Sequence, residues 1–115
     1  MRLLNIAAGI SGAVALMMMT IAAHVLPLDA ADADRVRLGA IVQLAAAAAA
    51  LAIANRARRV NLIAGAMIVA GAAIFSAALY TLAVTHVAAV AKLAPIGGVT
   101  LIGGWILLAF AKPGA

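Results

Sequence analysis

Four long apolar stretches, separated by short polar segments, make up most of the chain, and they cover residues 3–23, 36–54, 62–84 and 96–111. At about 1.5 Å per residue the first stretch reaches roughly 30 Å, the hydrocarbon thickness of a bilayer. No stretch alternates as the strands of a membrane β-barrel do, and only helices or closed barrels satisfy every backbone polar group in lipid. The pattern therefore predicts an all-α membrane protein, a four-transmembrane-helix bundle that forms one domain over residues 1–115.

The composition supports a lipid environment. Hydrophobic residues make up 69% of the 115 residues and charged residues only 10%, whereas a soluble domain carries about 25% charged residues. A soluble protein this small cannot bury so much apolar surface. The sequence has no cysteine, which excludes disulfides and thiolate metal sites, and its formal charge is +5. Because the basic residues flank the apolar stretches, we expect them to anchor helix ends among membrane lipids and expect no nucleic-acid interface.

The distribution of Lys and Arg predicts the orientation in the membrane. Five of them fall on one side, namely Arg2, Arg56, Arg58, Arg59 and Lys112. Three fall on the other side together with all three Asp residues, namely Arg35, Arg37 and Lys92. The richer side is expected to be cytoplasmic, so both termini face the cytoplasm. We also expect a loop over residues 25–34, with Asp32 or Asp34 capping the second helix, and Pro95 at the first position of the fourth helix.

Polar side chains recur at a similar level in all four predicted helices, below the outer surface. The candidate cluster consists of Thr20, His24, Gln43, Ser76, Tyr80 and Thr100. One interpretation is ordinary hydrogen bonding between helices, and the other is a ligand or conduction site. His24 and His86 both fall near the outer interface, but two histidines without a carboxylate or thiol at fixed spacing are a weak metal signal. We therefore expect no metal site.

Small residues at helical spacing predict close contacts between helices, because they let two backbones approach. Trp105 is placed at mid-span, which favours packing or subunit contact over a headgroup anchor. The predicted packing residues are Gly9, Gly12 and Ala13 on one stripe of the first helix, Gly97 and Gly104 on one face of the fourth, and Trp105.

Three segments resemble the domain of unknown function 423 family, also described as transmembrane protein 256-like. They are Phe75-Ser76-Ala77-Ala78-Leu79-Tyr80, Pro95-Ile96-Gly97-Gly98 and Gly104-Trp105, and Ala23-His24 is similar to a further element of the family. The second helix departs from the family pattern, since Val42 and Ala46 stand where Tyr and His are often found around Gln43, and Ala77 replaces a usual Gly. The resemblance implies four helices in a bacterial inner membrane and no established reaction.

Three classes of function remain to be weighed. The small residues and the scarcity of charge within the membrane favour a non-enzymatic structural or accessory subunit, which packs against another membrane protein or forms a homo-oligomer. The alternative is a small oligomeric transporter or channel for a neutral solute. The chain has no membrane-buried Glu, which argues against proton-coupled export. We expect no enzyme, because Ser76 and Tyr80 have no evident base in their own helix. We also expect no cofactor.

Overall fold

The computed structural model describes residues 2–24, 27–54 and 59–110. Its four α-helices are α1 (Arg2–His24), α2 (Ala30–Ala54), α3 (Arg59–Thr85) and α4 (Leu93–Ala109), and a 3-10 helix (Ala88–Lys92) leads into α4. With the 3-10 segment counted into the fourth, all four are long and apolar enough to cross a bilayer. The predicted all-α four-helix bundle is confirmed, and the chain is a multi-pass membrane protein.

The loop before α2 is shorter than predicted, because α2 begins at Ala30. The carboxylate of Asp29 accepts the backbone N–H of Asp32 at 2.8 Å, and the Asp29 carbonyl accepts the N–H of Ala33 at 2.9 Å. Asp29, rather than Asp32 or Asp34, therefore caps the helix. A side-chain oxygen at this position satisfies one of the N–H groups that a helix start leaves without a partner.

The start of the fourth helix also differs from the prediction. Helix α4 begins at Leu93, so Pro95 is its third residue rather than its first. Proline is tolerated there because the first four N–H groups of a helix have no acceptor within the helix. Parts of the prediction lie outside the described residues. They are positions 25 and 26 of the predicted loop, position 111 at the end of the fourth apolar stretch, and the basic residues Arg56, Arg58 and Lys112.

Consecutive helices pack antiparallel, α1 against α2, α2 against α3 and α3 against α4. Helix α1 touches α3 only slightly, and α4 approaches neither α1 nor α2 within the described residues. The core cluster joins Ala46 and Ile53 of α2 to Ile68 and Ala72 of α3. Among the described residues the bundle is therefore an open row in which the backbone of α4 has one neighbour, α3, while Leu101 and Leu108 pack against the core cluster.

The closest backbone approach lies between α3 and α4. A Cβ atom added to Gly71 would meet the Leu101 nitrogen at 2.6 Å, and one added to Gly97 would meet the Gly71 oxygen at 2.8 Å. One added to Gly104 would meet Ile68 Cγ1 at 2.8 Å. Only glycine lets the two helices come this close.

Helix α1 turns a different face inward from the stripe that its sequence predicts. The buried residues are Ala8, Ser11 and Ala15. Gly12 borders this face, and a Cβ there would be 3.6 Å from the Ala47 Cβ, whereas Gly9 has nothing within 4 Å. Ala13 is exposed. Because α1 is apolar on all sides, spacing alone does not tell the packed face from the lipid-facing one.

Trp105 lies closer to a helix end than the sequence suggests. It stands four residues before Ala109, the last residue of α4, which is about 6 Å along the axis. Its side chain is half-exposed. A tryptophan near a helix end is also typical of the membrane interface, so its role in subunit contact stays a prediction.

Candidate functional site

A chain of hydrogen bonds crosses three helices. The Tyr80 hydroxyl of α3 donates to Gln43 Oε1 of α2 at 2.7 Å, and Gln43 Nε2 donates to Ser11 Oγ of α1 at 3.1 Å. We call Ser11, Gln43 and Tyr80 the polar chain. Beside it, Ser76 Oγ donates to the carbonyl oxygen of Gly39 at 2.7 Å. These contacts tie α1, α2 and α3 to one another through side chains that are buried or half-buried.

Helical spacing and one glycine place these groups together. Ser76 and Tyr80 are four residues apart on α3, as are Gly39 and Gln43 on α2, so each pair shares a face. A Cβ on Gly39 would lie 3.1 Å from Tyr80 Cε1, so the tyrosine ring packs directly over this glycine. Helical side chains lean toward the N-terminus, and this tilt carries the Tyr80 hydroxyl deeper into the bundle.

The polar chain lies near the middle of the bundle rather than near its outer surface. Ser11 is nine residues from Arg2 and 13 from His24, which corresponds to about 14 Å and about 20 Å along α1. Gln43 is similarly central in α2, at about 20 Å from Ala30. The sequence predicts a level below the outer surface, and the polar atoms meet about halfway along α1 and α2, because the reach and tilt of the side chains decide where they lie.

The six predicted polar residues do not form a single cluster. Thr20 donates to the Leu16 carbonyl at 3.0 Å and Thr100 to the Ile96 carbonyl at 2.9 Å, so each hydroxyl is satisfied within its own helix. His24 is exposed at the end of α1. The structure brings together Gln43, Ser76 and Tyr80.

Ser11 is the residue that sequence reasoning missed. It lies in an apolar run, three residues after Ala8 and four before Ala15, on the only buried face of α1. A single hydroxyl at mid-depth was the available signal, but a serine there can equally bond its own helix.

Each side chain of the polar chain, and Ser76 beside it, makes at least one hydrogen bond to another helix. The Gln43 amide accepts from Tyr80 and donates to Ser11, and the Ser76 hydroxyl donates to a backbone carbonyl. Neither the Ser76 nor the Tyr80 hydroxyl donates to an imidazole or a carboxylate, which is what activation by a general base requires. The arrangement is that of interhelical hydrogen bonding, whose average contribution is about 0.6 kcal/mol per contact.

A second polar group lies where α2 begins and α3 ends. Asp32 is only 3% exposed. Its Oδ1 accepts from Arg35 Nη1 at 2.5 Å, and its Oδ2 lies 2.5 Å from His86 Nε2. The sequence predicted that Asp32 lies in a loop, whereas it is a buried and paired residue of α2, because helix formation from Ala30 turns it toward α3. The described residues contain no group of three His or Asp side chains that could hold a metal ion.

His86 joins this group through an unusual backbone conformation. Its φ of 57° is left-handed, and it is the one non-glycine residue with a positive φ in the described part of the chain. The residue ends α3, where its N–H donates to the Leu82 carbonyl at 2.9 Å. Glycine is usual at such an end, and another residue costs roughly 1–2 kcal/mol. Here the histidine side chain contacts a carboxylate 54 positions earlier.

Comparison with known proteins identifies a family. A family model described as "Protein of unknown function (DUF423)" matches residues 12–98. The matched range includes the second half of α1, all of α2 and α3 and the first six residues of α4. No curated protein and no solved structure matches the chain.

Proposed function

The chain belongs to the DUF423 family of unknown function, and on that premise we propose that it is a non-enzymatic structural or accessory protein of a membrane. In this proposal it packs against another membrane protein or a second copy of itself within the bacterial inner membrane. The observation that carries the proposal is the position of α4, which is packed against α3 and leaves its outer surface uncovered by the described residues.

The outer surface of α4 is apolar and continuous. Val99, Ile102 and Ile106 follow one another at spacings of three and four residues, so they form one stripe. The side chain of Val99 is 70% exposed, that of Ile102 61% and that of Ile106 57%. We define these three residues as the α4 stripe. In a membrane this stripe contacts either lipid tails or a protein partner, and a helix with one internal neighbour has room for another.

The hydrogen bonding of the polar chain favours an accessory role over a solute pathway. A pathway needs polar atoms that can bind the passing solute in turn. Gln43 and Tyr80 are instead bonded to each other, and Gln43 is further bonded to Ser11.

Site-specific photo-crosslinking in intact membranes tests the association. A photoreactive residue at Ile102 should give discrete protein adducts, and the same residue at Ile41, which is half-exposed on α2, is the matched control. An adduct of twice the 11.4 kDa protomer mass indicates self-association, and another mass indicates a different subunit. Protein adducts that are equally strong at Ile41 would contradict the proposal. It would also be contradicted if no adduct formed along the α4 stripe and the protein were strictly monomeric in mild detergent.

The proposed orientation places both termini in the cytoplasm. Helices α1 and α3 begin with Arg2 and Arg59 at one end, whereas α2 begins beside Asp29 at the other. Because the chain has no cysteine, single cysteines report accessibility directly. A membrane-impermeant maleimide should label Ala89→Cys in intact cells and should label Arg59→Cys only after permeabilisation. The reverse pattern would invert the orientation.

A further inference from the structure

An apolar groove of about 380 Å³ lies between α1 and α3, at the end of the bundle where both helices begin. It is lined by Leu3, Leu4 and Ala7 of α1 and by Leu62, Ala66, Val69 and Ala70 of α3. The groove exists because α1 packs mainly on α2 and touches α3 only slightly. Alanines at positions 7, 66 and 70 leave space that larger side chains would fill.

The two helices that form this groove both begin with an arginine, Arg2 in α1 and Arg59 in α3. A Cβ added to Gly65 would meet Leu4 Cδ2 at 2.8 Å, so Leu4 and Gly65 mark one level across the two helices. Counted back from that level, the Arg2 Cα lies about 3 Å and the Arg59 Cα about 9 Å toward the helix starts. Both arginines are exposed. Arg59 precedes Leu62 and Ala66 by three and seven residues, so it shares the face of α3 that lines the groove. Arg2 lies on another face of α1, and it reaches the groove through its long side chain at the helix end.

The charge at this end of the bundle is positive and is not balanced by acidic side chains. All three acidic side chains of the sequence, Asp29, Asp32 and Asp34, lie at the opposite end, where α2 begins. The starts of α1 and α3 carry the positive ends of two helix dipoles beside the groove, whereas the negative ends of α2 and α4 lie at this end of the bundle but do not line the groove. An anion is therefore the complementary group, and the neighbouring groove is complementary to hydrocarbon.

We propose that the groove binds one acyl chain of an anionic phospholipid of the surrounding bilayer, whose phosphate is held by Arg2 and Arg59. An apolar slot with basic residues at the headgroup level matches the two parts of such a lipid. The groove extends about 12 Å along α3, and a helix about 10 Å across would occupy roughly 900 Å³ over that length. A narrow acyl chain therefore enters the groove, whereas a partner helix would lie across it.

Native mass spectrometry of the full chain released from detergent tests the headgroup part. The probes are phosphatidylglycerol and phosphatidylcholine with identical acyl chains. The protein should retain one phosphatidylglycerol in preference to phosphatidylcholine. Arg2→Gln with Arg59→Gln should reduce that preference by about fivefold for each arginine. Arg37→Gln with Lys92→Gln removes the same net charge from the opposite end and should leave the preference unchanged.

A groove-filling variant tests the acyl-chain part. Ala66→Phe should lower the retention of both lipids, and Ala52→Phe, at an exposed position of α2, is the matched control. Unchanged lipid retention in Ala66→Phe, or an equal loss of lipid in Ala52→Phe, would overturn the proposal. It would also be overturned if the variant with both arginines replaced kept the lipid preference of the original protein. A loss of dimer mass in Ala66→Phe without loss of lipid would assign the groove to a second copy. Since Arg2 and Arg59 are exposed, their variants test the proposal even where Ala66→Phe fails to fold.

Discussion

Replacing Gly97 by alanine should force α3 and α4 apart, because the added methyl group would meet backbone atoms rather than movable side chains. Its neighbours would be the Phe75 nitrogen, the Gly71 oxygen at 2.8 Å and the Phe75 Cα at 3.0 Å. Ordinary contacts of a Cβ atom lie at 3.4–4 Å. The helices must therefore separate by about 0.5–1 Å along this seam, and a gap of that size forfeits a quarter to a half of each dispersion contact.

The magnitude follows from two opposing effects. Inserting a methyl group into a well-packed contact costs about 1–3 kcal/mol. Alanine in place of glycine gains about 0.8–1 kcal/mol of helix propensity. We expect a net loss of about 1 kcal/mol in the free energy of unfolding for Gly97→Ala. Gly9→Ala has the same propensity gain but nothing within 4 Å of the new methyl group, so it should be neutral or stabilising. The difference between the two variants isolates the packing cost.

Reversible unfolding in mixed micelles, with increasing fractions of a denaturing detergent, measures this difference. The helical circular dichroism signal reports the folded fraction, and both variants are compared with the original protein in one micelle system. Gly97→Ala should unfold at a lower fraction of denaturing detergent than Gly9→Ala. Equal midpoints for Gly97→Ala and Gly9→Ala would refute the close approach of α3 and α4 and the reasoning drawn from it.

Three further variants test other contacts in the same unfolding assay. Tyr80→Phe removes the hydroxyl that donates to Gln43, and it should cost about 0.6 kcal/mol and at most about 1.7 kcal/mol; no loss would mean that this bond is replaced within the membrane. His86→Gly should be more stable than His86→Ala by about 1 kcal/mol, because both variants lose the imidazole but only glycine adopts a positive φ without strain. Equal stability of the two variants would contradict the left-handed conformation at position 86. Asp29→Ala should lower the free energy of unfolding by about 1 kcal/mol through loss of the helix cap, whereas Asp34→Ala, in an exposed ion pair, should lower it by less than about 0.5 kcal/mol. A larger loss in Asp34→Ala than in Asp29→Ala would show that Asp29 is not the cap.

The amino-acid sequence was sufficient for the number, the type and the approximate limits of the helices. Long apolar runs leave a chain in lipid few alternatives to helix formation, because every backbone polar group must be bonded within the segment. The spacing of Gly97 and Gly104 also pointed to one face of α4, and the structure places both against α3. Gln43, Ser76 and Tyr80 stood out because a polar residue is rare in such runs.

The order of neighbours and the partners of each polar group depended on the folded chain. A helix bounded by lipid is apolar on its packed and unpacked faces alike, so periodicity does not reveal its rotation. For this reason the inward face of α1 and the bond from Gln43 to Ser11 were not predictable. The contact between Asp32 and His86 joins residues 54 positions apart, and it depends on where α2 starts and how α3 ends. Such contacts arise from the packing of whole helices, which no local pattern in the sequence records.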